Sequence, residues 1–351
     1  MGIISKNSLE SLIKLLEELT QIDCVAGFEG SFPEILCDKL QKFVDEVSID
    51  NLGNVIGIKR CGIPNAPKFM LEAHFDQVGL IVTGIEEGGF VRFASVGTVD
   101  PRILPASEVY VGNARHYGVI GHKPPHLASG EKAKLKIEEM LIDTGIPTEE
   151  LRNSVKIGDK ITFKSKFTRL LNGQVSNVAL DNRAGVAMLL DVAERIVNEE
   201  LNVDLYFAFT TQEELGFVGA YAAANKIQPS EAIIVDVTFG ETPDTKGKTE
   251  VFPIGCGAVI FRGPNVDFEK TLQLIDVAKA NEIPYAIEVS GGSSGTNAVA
   301  LQTTGAGMKT MLISIPLKYM HTTVEMLDTA DVEAVSDLIF TYLTNGGVGH
   351  A

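Results

Sequence analysis

Apolar residues fall into helical spacing at the start of the chain. Leu9, Leu12, Ile13, Leu16 and Leu19 recur among Glu and Lys, so a helix is predicted over residues 7–22, and similar spacing predicts a second over 31–45. A hairpin-like stretch follows, VSIDNLGNVIGIKR, with Gly53 supplying the turn. The apolar run from Lys68 to Ala73, leading into HFD, suits a strand covered on both faces. From Gly79 to about Phe167 the texture changes. GLIVTGI, FVRFASV, SEVYVGN and DKITFKSKF alternate with Gly, Pro and Asp turns, and only KAKLKIEEMLIDTG carries a helical pattern. After about residue 171 strands and helices alternate again. A helix is expected from Asn182 to Glu199, then strands DLYFAFTT and EAIIVDVT. Helix FEKTLQLIDVAKANE, strands YAIEVS and KTMLISIP, and a last helix through VEAVSDLIFTYL complete the series.

This order predicts an α/β fold, a mixed central sheet flanked by helices with an inserted small β-rich domain. Residues 1–73 and 171–351 would form one discontinuous domain and residues 74–170 the insert. A length of 351 residues agrees with about two domains. No apolar run approaches the roughly 18 residues that span a bilayer. The first residues read as an amphipathic surface helix and not as a signal peptide, and Lys6 disqualifies Gly2 as an acylation site. The expected compartment is the cytoplasm, with no membrane partner. A formal net charge of −16 argues against nucleic acid as a partner. Cys24, Cys37, Cys61 and Cys256 form no C-x-x-C pair and read as reduced thiols.

Candidate chemistry gathers at the ends of predicted strands, where sites form in open α/β sheets. His74 and Asp76 close one strand two positions apart, which puts both on one face. His74 can ligate a metal, with Asp76 orienting it; a structural His–Asp pair is the alternative. Asp181, in SNVALDNRAG, is either a helix N-cap or a carboxylate able to bridge two ions. Glu213 and Glu214 follow an apolar strand in TTQEELGFVGA, and Gly216 and Gly219 permit the break that would let them converge. One can bind metal and the other accept a proton from water, unless both merely begin a helix. Asp236, inside AIIVDVT, is the most telling, because a carboxylate in so apolar a strand is costly unless paired or metal-bound. His321 lies just past MLISIP. Two His and several carboxylates suit Zn, Co or Mn better than Ca. His122 and His126, in GHKPPH, have two prolines between them and read as an insert loop, not as ligands. Arg102, in VDPRILP, reads equally as a substrate or subunit contact and as a surface turn.

The ordered segments LEAHFDQVGL, VALDNRAG, TTQEELGFVGA, IIVDVT and IPLKYMHT resemble the motif series of the dinuclear-metal aminopeptidases that include glutamyl and deblocking aminopeptidases, some labelled cellulase or endoglucanase. VDPRILP, GHKPPHL, VKIGDK, RGP and GGSSGTNA extend the likeness over nearly the whole chain. The resemblance implies a zinc-exopeptidase-like fold with two divalent ions per subunit, Zn or Co. His74 and Asp236 would hold one ion, Glu214 and His321 the other, and Asp181 would bridge them. Glu213 would be the general base and Asp76 the partner of His74. It also implies a cis Asp181–Asn182 peptide, peptide substrates, and homododecamers built through the β-rich insert. Gln77, Asn297 and Thr323 depart from residues common in relatives (Glu, Asp and Pro), which bears on substrate preference more than on hydrolysis. A glycoside hydrolase, an N-acyl amino acid deacylase and a non-catalytic scaffold are the competing readings. The absence of Trp counts against a sugar-stacking cleft.

Overall fold

The structure is a computed structural model that describes residues 6–123, 135–248, 250–345 and 347. Its early elements are α1 (Lys6–Thr20), α2 (Phe32–Leu40), β1 (Glu46–Ile49), β2 (Val55–Lys59) and β3 (Lys68–His74). Next come β4 (Gly79–Ile85), β5 (Phe90–Val96), β6 (Glu108–Val111), β7 (His116–Gly121), β8 (Leu141–Asp143), α3 (Thr148–Ser154) and β9 (Lys160–Phe163). Then follow β10 (Thr168–Arg169), β11 (Gln174–Asn177), α4 (Leu180–Arg195), β12 (Asp204–Thr210), α5 (Val218–Ile227) and β13 (Glu231–Phe239). The chain continues through β14 (Ala258–Arg262), α6 (Phe268–Ala280), β15 (Tyr285–Val289), α7 (Ala298–Thr303), β16 (Lys309–Leu317), β17 (Glu325–Asp328) and α8 (Thr329–Thr344).

The main sheet has eight strands in the order β1-β2-β12-β3-β13-β16-β14-β15. Its centre, β12, β3, β13 and β16, is parallel, while β2 and β14 run antiparallel to their central neighbours. The predicted mixed α/β sheet is therefore the observed one. Central strands are buried along almost their whole length, which explains their unbroken apolar runs. One face packs against α1, α2, α4, α6 and α8, with Leu16, Leu189, Val235, Ile313 and Leu338 in a large core. The other is covered by α5 and α7 over Met70, Ala208, Ile234 and Leu312. Among the described residues no helix is long and apolar enough to cross a membrane.

The β-rich segments close into a barrel, β4-β5-β8-β7-β6-β9, around Leu80, Val91, Val109, Ile120 and Ile161. The helix expected in KAKLKIEEMLIDTG is corrected here. Its described part holds a single 3-10 turn, Ile137–Glu139, and strand β8. Leu135, Ile137, Met140 and Leu141 mimic helical spacing. In the fold Met140 and Ile142 are buried at period two, and β8 bridges β5 and β7. The barrel's helix is instead the short α3, whose Leu151 packs into the barrel core. The second helix ends at Leu40, earlier than expected. Strand β14, helix α5 and a three-stranded sheet, β10-β11-β17, add elements that apolar spacing did not single out.

Candidate metal centre

Four central strands deliver the candidate residues to one edge of the sheet. His74 is the last residue of β3, and Asp236 lies near the carboxyl end of β13. Past β12, Gln212 adopts φ 54° and turns the chain into a 3-10 segment, Glu213–Leu215. Past β16, His321 itself adopts φ 60°. Asp181 stands in the first turn of α4, after Ala179 at φ 59°. Left-handed conformations at non-glycine residues are uncommon and cluster where a fold over-determines a functional geometry.

These turns bring five side chains together. His74 Nε2 lies 3.2 Å from Asp181 Oδ1 and 3.6 Å from Asp236 Oδ1. His321 Nε2 lies 3.2 Å from Asp181 Oδ2 and 3.1 Å from Glu214 Oε1. The result is two triads, His74–Asp181–Asp236 and Asp181–Glu214–His321, each with one potential ligand atom per residue inside 4.8 Å. Each oxygen of Asp181 faces one histidine. Glu213 is buried beside them, and its neighbour Asp76 is fully buried.

Hydrogen bonds orient the set. His321 Nδ1 is 2.9 Å from the Thr98 carbonyl, which can only accept, so Nδ1 carries a proton and Nε2 is the nitrogen turned towards Asp181 and Glu214. Asp76 Oδ1 stands 3.5 Å from His74 Nδ1, an ion-pair contact at the long limit of a hydrogen bond. Its oxygens also accept the N–H groups of Glu213 at 3.0 Å and Glu214 at 3.2 Å. Asp76 thus fixes the turn that presents both glutamates. The Asp181–Asn182 peptide is cis, as the family likeness implied. The Asn182 side chain donates to the Val235 carbonyl at 2.7 Å and accepts from Gly185 N–H at 3.1 Å, tying α4 to β13.

Three supporting residues escaped the sequence reading. Glu325, 2 % exposed, accepts from the Asp181 N–H at 3.1 Å and from the His321 N–H at 2.8 Å. In β17 it is buried in phase with Leu327, which the sequence alone does not reveal. Arg183 is wholly buried, donating to the carbonyls of Phe75 at 2.7 Å, Leu19 at 2.5 Å and Ile22 at 3.2 Å. It also donates to the Gln77 side-chain oxygen at 3.0 Å, so Gln77 is a neutral acceptor for this guanidinium. Glu72, two residues before His74, accepts from Asn297 at 2.8 Å, which gives the Asn297 departure a structural partner. His122 is exposed and lines no part of this centre, and His126 falls outside the described residues. Arg102 is exposed and pairs with Asp100.

The electrostatics express a surplus of buried negative charge. Burial pushes Glu213 up to about 10, with Asp236, Glu214 and Asp181 reinforcing it and His74 opposing. Burial likewise raises Glu214 and Asp236. Burial disfavours charge on His321, yet Asp181 and Glu214 outweigh it and lift its pKa to about 11. Protons are thus retained on a buried cluster in place of other positive charge. Divalent cations meet the same demand, and imidazole nitrogens with carboxylate oxygens are a suitable donor set. A cavity of about 850 Å³ opens over both triads.

A family model described as M42 glutamyl aminopeptidase matches residues 53–338. The chain belongs to the M42 aminopeptidase family. M42 enzymes are metallopeptidases, and the two triads are residue groups of this M42 chain that could hold metal. Its relatives include the lysyl aminopeptidase of Pyrococcus furiosus, 35% identical over 91% of this chain and 93% of that one. Among solved structures, aminopeptidase APDkam598 of Desulfurococcus kamchatkensis is 30% identical with a TM-score of 0.90, covering 96% of each chain. The TET1 peptidase of Pyrococcus horikoshii, which can assemble into a tetrahedron or a large octahedral shell, is 32% identical with a TM-score of 0.83. That match covers 95% of this M42 chain and 99% of TET1.

Proposed function

We propose that this aminopeptidase removes N-terminal residues from peptides with two divalent ions per subunit, Zn or Co. His74 and Asp236 would hold one ion, Glu214 and His321 would hold the other, and Asp181 would serve both. The observation that carries the reading is the division of the Asp181 oxygens between the two histidines, each at 3.2 Å. Bound there, the ions supply Lewis-acid polarisation of the scissile carbonyl and acidify a water. Glu213 takes the proton from the attacking water and returns it to the leaving amine. Its raised pKa in the cation-free cluster means that it holds a proton readily, and added positive charge lowers that pKa towards the working range. Asp76 holds Glu213 and Glu214 in register through their backbone N–H groups.

Two substitutions test this. Glu213→Gln is expected to keep both metals by elemental analysis while turnover falls by roughly 10²–10⁴; near-normal turnover removes Glu213 as the base. Asp181→Asn is expected to lower metal content at both triads, and two ions per subunit in that variant would rule out the bridge.

The same reading extends to organisation. Residues 1–73 and 171–351 form the catalytic unit, and 74–170 the oligomerisation insert of a homododecamer. Support comes from the barrel within that segment and from the likeness to TET1. Mass measurement in solution tests it, with a monomer as the refuting result.

A further inference from the structure

The cavity over the triads continues away from them, and its far wall has a composition of its own. Among the described residues, no Lys or Arg lines it. Of its carboxylates, Asp181, Glu213, Glu214 and Asp236 belong to the centre, and Asp100 is paired with Arg102. Glu288 is the one that remains. It sits on β15 and forms no ion pair among the described residues, its Oε2 accepting only the Thr238 hydroxyl at 3.0 Å. Burial raises its pKa, Thr238 opposes this, and Glu250 adds to the rise.

The wall's position relative to the chemistry follows from strand register. Thr238 is two residues beyond Asp236 on β13, hence on the same face and about 6.5 Å further along the strand. Phe261 pairs with Glu288 across β14 and β15. Phe261 and Leu312 are buried apolar residues that also line the cavity. A side chain that leaves the reacting centre and occupies this cavity finds both hydrocarbon and the Glu288 carboxylate on its wall. That pairing suits an alkyl stem tipped by a cation.

We propose that Glu288, held by Thr238, receives the cationic side chain of the substrate's first residue, so that the enzyme selects peptides beginning with Lys or Arg. This rests on the peptidase reading above. An ammonium or guanidinium placed there gains a charge-assisted hydrogen bond to a partly desolvated carboxylate that has no other cation. A neutral side chain leaves that carboxylate without a partner, and an acidic one is repelled.

The test uses the full-length, metal-reconstituted protein with Lys-, Arg-, Leu- and Glu-p-nitroanilides. The wild type is expected to show kcat/KM for Lys and Arg about tenfold or more above Leu, and Glu lowest. Glu288→Gln is expected to cut the Lys-to-Leu ratio by about tenfold, and Glu288→Lys to move preference towards Glu. An unchanged ratio in Glu288→Gln overturns the inference. Binding of L-lysine against L-norleucine, measured by calorimetry, supplies a readout independent of turnover. Equal affinities overturn the inference. Should no substrate be cleaved while lysine still binds more tightly in a Glu288-dependent way, the peptidase reading falls and the cation subsite stands.

Discussion

Glu325 offers the sharpest test of how the centre is held together. Replacing it with Gln changes almost no volume but alters the donor and acceptor pattern. In the native chain both carboxylate oxygens accept backbone N–H groups, from Asp181 at 3.1 Å and His321 at 2.8 Å. An amide offers one acceptor and one donor, so either N–H must face an NH2 group in a site with no water access. One buried N–H is left without an acceptor, which costs about 1–3 kcal/mol. Either the protein bears that loss in place, or the Asp181 or His321 backbone turns to find another partner. Turning moves a side chain that faces the opposite ligands at 3.1–3.2 Å, so the loss appears as weakened metal binding. Residues that orient ligands this way typically change metal affinity by roughly 10–100-fold. The assay is chelator competition for metal affinity, with kcat and KM on one substrate and thermal unfolding of the metal-free protein. The expectation is a 10–100-fold weaker affinity and a lower kcat with KM little changed. Wild-type affinity and kcat in a folded Glu325→Gln protein would refute the assignment and reduce Glu325 to a packing residue.

Further outcomes follow from the same geometry. For His321 the folded pKa of about 11 exceeds the unfolded 6.5, so its stabilising contribution is complete below 6.5 and is lost as pH rises towards 11. Glu213, at about 10 against 4.5, contributes in the same direction, full below 4.5 and lost towards 10. Chelated protein should therefore lose melting temperature between pH 6.5 and 9.5, while metal binding, which needs His321 deprotonated, strengthens. The gap in Tm between loaded and chelated protein should widen with pH; a flat gap contradicts the cluster electrostatics. Gly185→Ala would place a Cβ 2.4 Å from Asn182 Oδ1 and 3.2 Å from the Ala73 Cβ. It should lower stability by about 1–3 kcal/mol and reduce metal occupancy, checked by denaturant titration and elemental analysis.

Much of this was readable from residue order because the central strands are simple. A parallel strand buried on both faces is an apolar run, so a charged residue within one, such as Asp236, declares itself. His74, Glu213, Glu214 and His321 became candidates because such runs end just before them. Glu325 did not, since its partners are backbone groups, and the Asp181 N–H lies 144 residues away. Nothing in its own neighbourhood distinguishes it from an ordinary acidic residue on a short strand. Arg183 is likewise not singled out by its sequence surroundings, although it is the largest fully buried side chain among the described residues. Strand β8 was misread for a different reason: its period-two burial is only a few residues long, and closure of the barrel, not local spacing, decides its conformation.

Arg183 also binds the amino-terminal helix to the chemistry. Two of its acceptors, the carbonyls of Leu19 and Ile22, lie at and just past the end of α1. A third is Phe75, between His74 and Asp76, and Arg183 itself is two residues from Asp181. Trimming or displacing α1 would take two acceptors from a charged guanidinium in the interior two residues from Asp181. A shortened chain, or one with a rigid fusion against α1, should accordingly behave as an active-centre variant although the alteration lies in another part of the sequence.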